Sequence, residues 1–217
     1  MKQDASRRPG RRQLCFENHR LRGRRLEHPH GDLRAARNGD RLDAGELAPA
    51  GYASLKPGAG PRHLAFHPRG DRAYVINELD LTMTAYAYDA TTGLLRELQV
   101  LPTLPAAADK VGASGADVHV HRTGRFLYGS NRGHDSIAIF AVDERTGALE
   151  PAGWESVRGS KPRFFGPDPD WSHLYAANQD TDNIVRFEID QETGKLSSTG
   201  DSTECPMPVC LKFLPIT

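Results

Sequence analysis

The chain has 217 residues, enough for one domain or at most two. Its 28 lysines and arginines balance 28 aspartates and glutamates, and this zero formal charge removes the global electrostatic argument for nucleic acid or an anionic membrane. No apolar run approaches the roughly 18 residues needed to span a bilayer, no apolar segment follows the basic N-terminus as in a secretory signal, and the three cysteines (Cys15, Cys205, Cys210) form no Cys-x-x-Cys pair, so a cytoplasmic protein without metal site or cofactor is expected.

The neutral total hides two kinds of sequence. Residues 1–40 hold 11 basic and 5 acidic residues, and the remainder carries the opposite excess. Stretches such as Arg7-Arg8-Pro9-Gly10-Arg11-Arg12 have neither helical nor strand period and cannot bury a face. Phe16 is the lone aromatic residue among these arginines, too few for a base-stacking platform. Residues 1–42 are therefore expected to be a disordered, irregular or non-native leader, with residues 1–40 translated from a wrong frame or a degraded gene. Residues 43–217 form the second region.

That second region repeats. Arg62-His63-Leu64-Ala65-Phe66-His67-Pro68 aligns with Asp117-Val118-His119-Val120-His121-Arg122 and with Arg163-Phe164-Phe165-Gly166-Pro167-Asp168. Tyr74-Val75-Ile76-Asn77-Glu78 aligns with Tyr128-Gly129-Ser130-Asn131-Arg132 and with Tyr175-Ala176-Ala177-Asn178-Gln179. Each unit then runs through a β-branched and aromatic stretch to Asp-x-x-Thr-Gly, at Asp89–Gly93, Asp143–Gly147 and Asp190–Gly194. The distance from the Asn to that Gly is 16 residues in every unit, and the units are 54 and then 47 residues apart.

Each unit reads as four short strands joined by turns in which Gly supplies a positive φ. Tandem four-stranded antiparallel units of this length mean an all-β chain, a β-propeller with three complete blades at about 62–105, 116–160 and 162–204. Gly45–Gly51 matches the fourth strand of a preceding blade and Pro208–Leu214 the first strand of a following one. Since a closed propeller needs at least about four blades, the chain reads as truncated at both ends, with open sheet edges through which it could self-associate.

Gly60-Pro61-Arg62-His63-Leu64-Ala65-Phe66-His67-Pro68, Tyr74-Val75-Ile76-Asn77-Glu78-Leu79, Ala116-Asp117-Val118-His119-Val120 and Tyr128-Gly129-Ser130-Asn131-Arg132-Gly133 resemble the bacterial 6-phosphogluconolactonases of the seven-bladed propeller type. That family also includes fungal carboxymuconate lactonising enzymes. The resemblance implies a seven-bladed fold and hydrolysis of 6-phospho-D-glucono-1,5-lactone in the pentose phosphate pathway. It also implies a site made of the Arg of Gly-Pro-Arg-His, the Glu of Asn-Glu-Leu and the Arg of Ser-Asn-Arg, here Arg62, Glu78 and Arg132. A histidine that the family draws from an upstream blade has no counterpart here.

Lactone opening needs an activated water, a stabilised oxyanion and a proton for the departing alkoxide. Glu78, Arg132 and Gln179 occupy one repeat position, which in a propeller rings one end of the central channel. Glu78 is expected as general base or water orienter, with Arg62 and Arg132 as planar bidentate partners for an anionic sugar lactone. His63, His119, Asn131, Arg163 and Gln179 are expected to contact substrate. Asp117 begins the inner strand, where it suits equally the orienting of a His or Arg and the capping of the strand start. His119 and His121 alternate along one strand and share a face, without the third ligand a metal would need. Cys205 and Cys210 are expected to be buried and inert. Three other readings stand beside this one: a cycloisomerase acting on a carboxylated muconate, a non-catalytic propeller platform, and an inactive fragment.

Overall fold

The computed structural model describes residues 32–36 and 49–214. Among these, every regular element is a strand, and no helix is long and apolar enough to cross a membrane. A first antiparallel pair joins β1 (Asp32–Ala36) and β2 (Pro49–Ser54). Twelve further strands make three sheets of four, each a simple meander. Blade 1 comprises β3 (Pro61–Phe66), β4 (Arg72–Asn77), β5 (Thr82–Tyr88) and β6 (Leu95–Pro102). Blade 2 comprises β7 (Ser114–Val120), β8 (Phe126–Arg132), β9 (Ser136–Val142) and β10 (Leu149–Ser156). Blade 3 comprises β11 (Pro162–Pro167), β12 (His173–Asn178), β13 (Asn183–Ile189) and β14 (Leu196–Glu204). The first strands β3, β7 and β11 pack side by side, so the sheets stand as consecutive blades of a partial β-propeller.

The core follows from this stacking. Every residue of β8 is buried, because neighbouring blades cover both of its faces. One apolar layer lies between blades 1 and 2, built on Tyr74, Ile76, Met83, Leu127 and Phe140. Another lies between blades 2 and 3, built on Phe126, Tyr128, Ile139, Phe165, Leu174 and Phe187. Blade 2 supplies alternate residues of the same strands to both, which is the period-2 geometry of a pleated sheet. Each large apolar side chain buried in these layers contributes about 1.5–3 kcal/mol. One tryptophan sits at each seam: Trp154 donates its indole N–H to the Thr103 carbonyl at 2.8 Å, and Trp171 lies against Tyr128 and edge-on to His121, with ring centroids 4.8 Å apart in the latter pair.

The Asp-x-x-Thr-Gly turns close β5, β9 and β13. In the second, the Asp143 carboxylate accepts from the Thr146 amide and hydroxyl, and Gly147 sits at φ +75°. A Cβ there would also lie 2.6 Å from Nε of Arg72 in blade 1, so the glycine is required twice over. The same turn accepts the Tyr74 hydroxyl at the Gly147 carbonyl (3.1 Å), and Tyr128 repeats the contact to Gly194 (2.9 Å).

Several expectations are corrected. Within the expected leader, Asp32–Ala36 form β1, while the rest of residues 1–42 lies outside the described residues. The strand before blade 1 is Pro49–Ser54 rather than Gly45–Gly51, of which residues 45–48 are outside the described set. Pro208–Leu214 form no strand: the first strand of a blade is held by hydrogen bonds to its second, and among the described residues none pairs with this segment. Instead Phe213 rests on Tyr175, ring centroids 5.2 Å apart. Cys205 is half-buried and Cys210 exposed, since both lie beyond the last sheet.

Candidate active site

Each blade's first strand carries an irregularity near its start. In β3 the register passes from Pro61↔Asn77 to His63↔Ile76, leaving Arg62 unopposed. In β11 it passes from Pro162↔Asn178 to Phe164↔Ala177, leaving Arg163 unopposed. In β7 it passes from Gly115↔Asn131 to Val118↔Gly129, so Ala116 and Asp117 share one partner position. Such bulges bend a strand and re-aim its side chains. They lie at the end of the blades where the second strands finish, beside Glu78, Arg132 and Gln179.

Gly115 allows the close approach of the first two blades. A Cβ there would lie 2.6 Å from the Asn77 carbonyl oxygen, and the Gly115 amide donates to the Glu78 carbonyl at 3.0 Å. Glu78 then meets two guanidinium groups. Arg132 donates to its Oε1 at 2.5 Å, and Nε of Arg62 lies 3.7 Å from its Oε2. Arg132 also donates to the Gly115 carbonyl (3.0 Å), and Arg62 to the Ala116 carbonyl (2.5 Å). Burial, and then the positive charge of Arg132, lowers the Arg62 pKa from its ordinary value against the opposing pull of Glu78. Nε of Arg132 is buried with no hydrogen-bond partner among the described residues. One carboxylate thus faces two guanidiniums that are only 14% and 10% exposed, and a net positive charge is left for an anion.

A second cluster adjoins the first through Arg62. His63 Nδ1 lies 2.5 Å from Asp117 Oδ1, and His119 Nε2 lies 3.2 Å from Asp117 Oδ2. Asp117 is buried, with a further bond to its Oδ1 from the Val118 amide. Burial alone would raise the pKa of this carboxyl, but His119 and His63 outweigh it and hold the group well below the usual carboxylate range.

The structure therefore brings Arg62 and Arg132 together around Glu78, and through Arg62 joins them to His63 and His119 around Asp117. Arg163 is exposed and lies close enough for its charge to act on Arg62. Gln179 is half-buried, its Oε1 without a partner among the described residues. Asn131 is not part of the group: it is fully buried and its amide donates to the Thr103 carbonyl at 3.0 Å, bracing blade 2 against the chain leaving blade 1. The shared face of His119 and His121 is not used jointly. His121 lies just beyond β7, with Nδ1 bound to Thr123 and its ring between Phe126 and Trp171. Among the described residues no group of three or more His, Cys, Asp or Glu is arranged to hold a metal. Arg62–Ala116, His63–Asp117 and Glu78–Arg132 are each 54 residues apart, the spacing of the first two repeats. For His63–Asp117 and Glu78–Arg132 the available signal was complementary chemistry at one repeat position in successive units.

Comparison with known proteins places the chain among lactonases. Residues 40–213 match the family described as lactonase, seven-bladed β-propeller. The 6-phosphogluconolactonase of Bacillus subtilis is 44% identical over 174 residues, covering 80% of this chain and 50% of that protein. A solved structure from Lactobacillus plantarum matches with a TM-score of 0.79 at 33% identity, over 85% of this chain and 52% of that one. The periplasmic gluconolactonase PpgL of Pseudomonas aeruginosa matches with a TM-score of 0.72 at 34% identity, over 76% and 46%. The chain spans about half the length of these relatives. Matched over residues 40–213, the chain belongs to the family described as lactonase, seven-bladed β-propeller.

Proposed function

We propose that this chain acts on a sugar lactone bearing an anionic group, of the 6-phosphoglucono-1,5-lactone type, and hydrolyses it. The observation that carries the reading is the pair Arg62 and Arg132 around the single carboxylate of Glu78, with the Arg132 Nε still unpaired. Two guanidiniums supply more positive charge than one carboxylate cancels, which suits a phosphate or a developing oxyanion. Arg163, exposed nearby, suits the more distant phosphate. Glu78 keeps both arginines in place, and its side chain, 32% exposed, is open to accept a hydrogen bond from the attacking water. The name of the Bacillus subtilis relative supports a phosphorylated substrate. The Pseudomonas aeruginosa relative favours a second reading, an unphosphorylated gluconolactone. The pentose phosphate pathway and the cytoplasm follow as the setting of the first reading.

The test is the rate of lactone loss above the spontaneous rate, measured with the purified chain on phosphorylated and unphosphorylated gluconolactone. A preference of at least about tenfold for the phosphorylated lactone is expected, reduced in Arg163→Ala. Glu78→Gln is expected to lower turnover by about 100-fold, the lower range for a residue that positions a reacting group. Equal rates on both lactones favour the second reading, and no hydrolysis of either rejects both.

A further inference from the structure

We infer that Asp135 is a positioning residue that fixes where the exposed Arg163 stands relative to Arg132, and so sets the preference for a phosphorylated lactone; this rests on the lactone-hydrolase reading above. Gly133, His134 and Asp135 connect β8, which ends at Arg132, to β9. Gly133 and Asp135 both have positive φ, +82° and +52°. Aspartate is one of the few residues with a side chain that enters this region readily. Its Oδ1 accepts the Gly133 amide at 3.0 Å and, across to the next blade, the Lys161 amide at 2.8 Å.

The contact to Lys161 reaches the start of blade 3. Lys161 also has positive φ, +62°, and its two backbone groups serve different elements. Its N–H goes to Asp135, while its carbonyl accepts the Arg163 backbone N–H at 2.7 Å and the Gln179 backbone N–H at 3.0 Å. One carboxylate oxygen is thereby linked through Lys161 to the backbones of Arg163 and Gln179, and through Gly133 to that of Arg132. The Asp135 carbonyl adds a second tie between the blades, accepting the Val157 amide at 3.0 Å. An amide donating to a carboxylate is held more firmly than one donating to a neutral oxygen.

The two arginines depend on this tie unequally. Arg132 has its own side-chain bonds to Glu78 and to the Gly115 carbonyl. Arg163 is exposed and unopposed in the register of β11 with β12, so its place is set by the strand start that Lys161 fixes. The device recurs at the end of blade 3, where Asp182 at φ +53° accepts the Met207 amide at 2.8 Å. Two residues beyond Met207 stands Val209, where blade 3 has Arg163, so that tie leads to no cation. In blade 1 the same repeat position holds Leu81, at φ +59°, whose side chain cannot accept a hydrogen bond. Of the two carboxylate ties, the Asp135 tie is the one that ends beside an arginine.

The experiment uses the full chain with phosphorylated and unphosphorylated gluconolactone. Asp135→Gly removes the carboxylate without adding strain, because glycine takes a φ of +52° freely. It is expected to raise KM for the phosphorylated lactone by about fivefold or more with kcat within about twofold, and to leave KM for the unphosphorylated lactone within about twofold. Asp135→Asn keeps an acceptor oxygen and tolerates the same φ, and is expected to recover KM to within about twofold of the unaltered chain. Asp135→Glu, which keeps the charge but moves the oxygen by one methylene, is expected to show the same selective rise in KM, and decides the matter if the glycine variant fails to fold. Added to Arg163→Ala, Asp135→Gly is expected to raise KM by less than about twofold more, since the residue it positions is gone. A loss shared equally by both lactones, or one that adds in full to that of Arg163→Ala, overturns the proposal and leaves the lactonase reading standing. Equal rates on the two lactones by the unaltered chain overturn it as well. Absence of hydrolysis of either lactone by the unaltered chain overturns the lactonase reading itself, and the role of Asp135 with it.

Discussion

His121 shows how one buried side chain sets a condition on the whole fold. Its ring is fully buried between Phe126 and Trp171, and burial, followed by the charges of Arg122 and Arg125, pushes its pKa down to about 4. The folded chain therefore binds fewer protons than the unfolded chain between the ordinary histidine value, about 6.5, and about 4. Stability must rise with pH across that window and fall as pH drops through it. Urea midpoints measured from pH 7 to pH 4 are expected to fall, by on the order of 1 kcal/mol per pH unit once the unfolded histidine is protonated. The slope is expected to shrink in His121→Phe; an unchanged slope assigns the effect to other groups. At this scale much of the site was legible. Arg62, Glu78 and Arg132 stand at repeat positions whose chemistry varies from blade to blade, and the structure brings them together. Asn131 was misread because its neighbour Arg132 does face the site. Adjacent residues on a strand point to opposite sides, and a side chain at such a corner can brace a seam as readily as it can meet a ligand.

The strand and turn elements were the most legible part of the chain. The fixed interval from Asn77 to Gly93 repeats because one strand, β5 in the first blade, and the turns at its two ends have a fixed length, and the three sheets follow it. The bulges at Arg62, Asp117 and Arg163 were not legible, since nothing in residue type distinguishes a paired from an unpaired strand position there. Two comparisons test what holds the blades. Gly70 and Gly147 both have φ near +75°, but a Cβ meets nothing at Gly70 and meets Arg72 at Gly147. Gly70→Ala is expected to cost about 1 kcal/mol from the left-handed backbone alone. Gly147→Ala is expected to cost clearly more in the same urea titration, because Arg72 must leave the Thr146 carbonyl it now holds at 3.0 Å. Tyr128→Phe removes a buried hydroxyl donor to Gly194 and is expected to cost about 1 kcal/mol. Tyr175→Phe, at the equivalent place in blade 3 but packed on Phe213, is expected to change the midpoint by less than half of that.

Among the described residues, the three blades are joined by two seams that share one blade. Phe126, Tyr128, Ile137 and Ile139 face blade 3, while Leu127, Ala138 and Phe140 face blade 1. Losing blade 2 opens both layers at once, so the described blades are expected to unfold as a single cooperative unit rather than one after another. The two tryptophans turn this into an optical property. Trp154 reports the seam between blades 1 and 2, and Trp171 the seam between blades 2 and 3. In Trp154→Phe and Trp171→Phe, the remaining indole gives a separate emission channel for one seam, and each channel is expected to shift red at the midpoint seen by circular dichroism in the same variant. The second channel carries additional information. An imidazolium quenches tryptophan fluorescence more strongly than a neutral imidazole does, and His121 lies edge-on to Trp171 at 4.8 Å. Acidification is therefore expected to dim Trp171 before its emission moves red, so that brightness follows the proton on His121 and colour follows the separation of the blades.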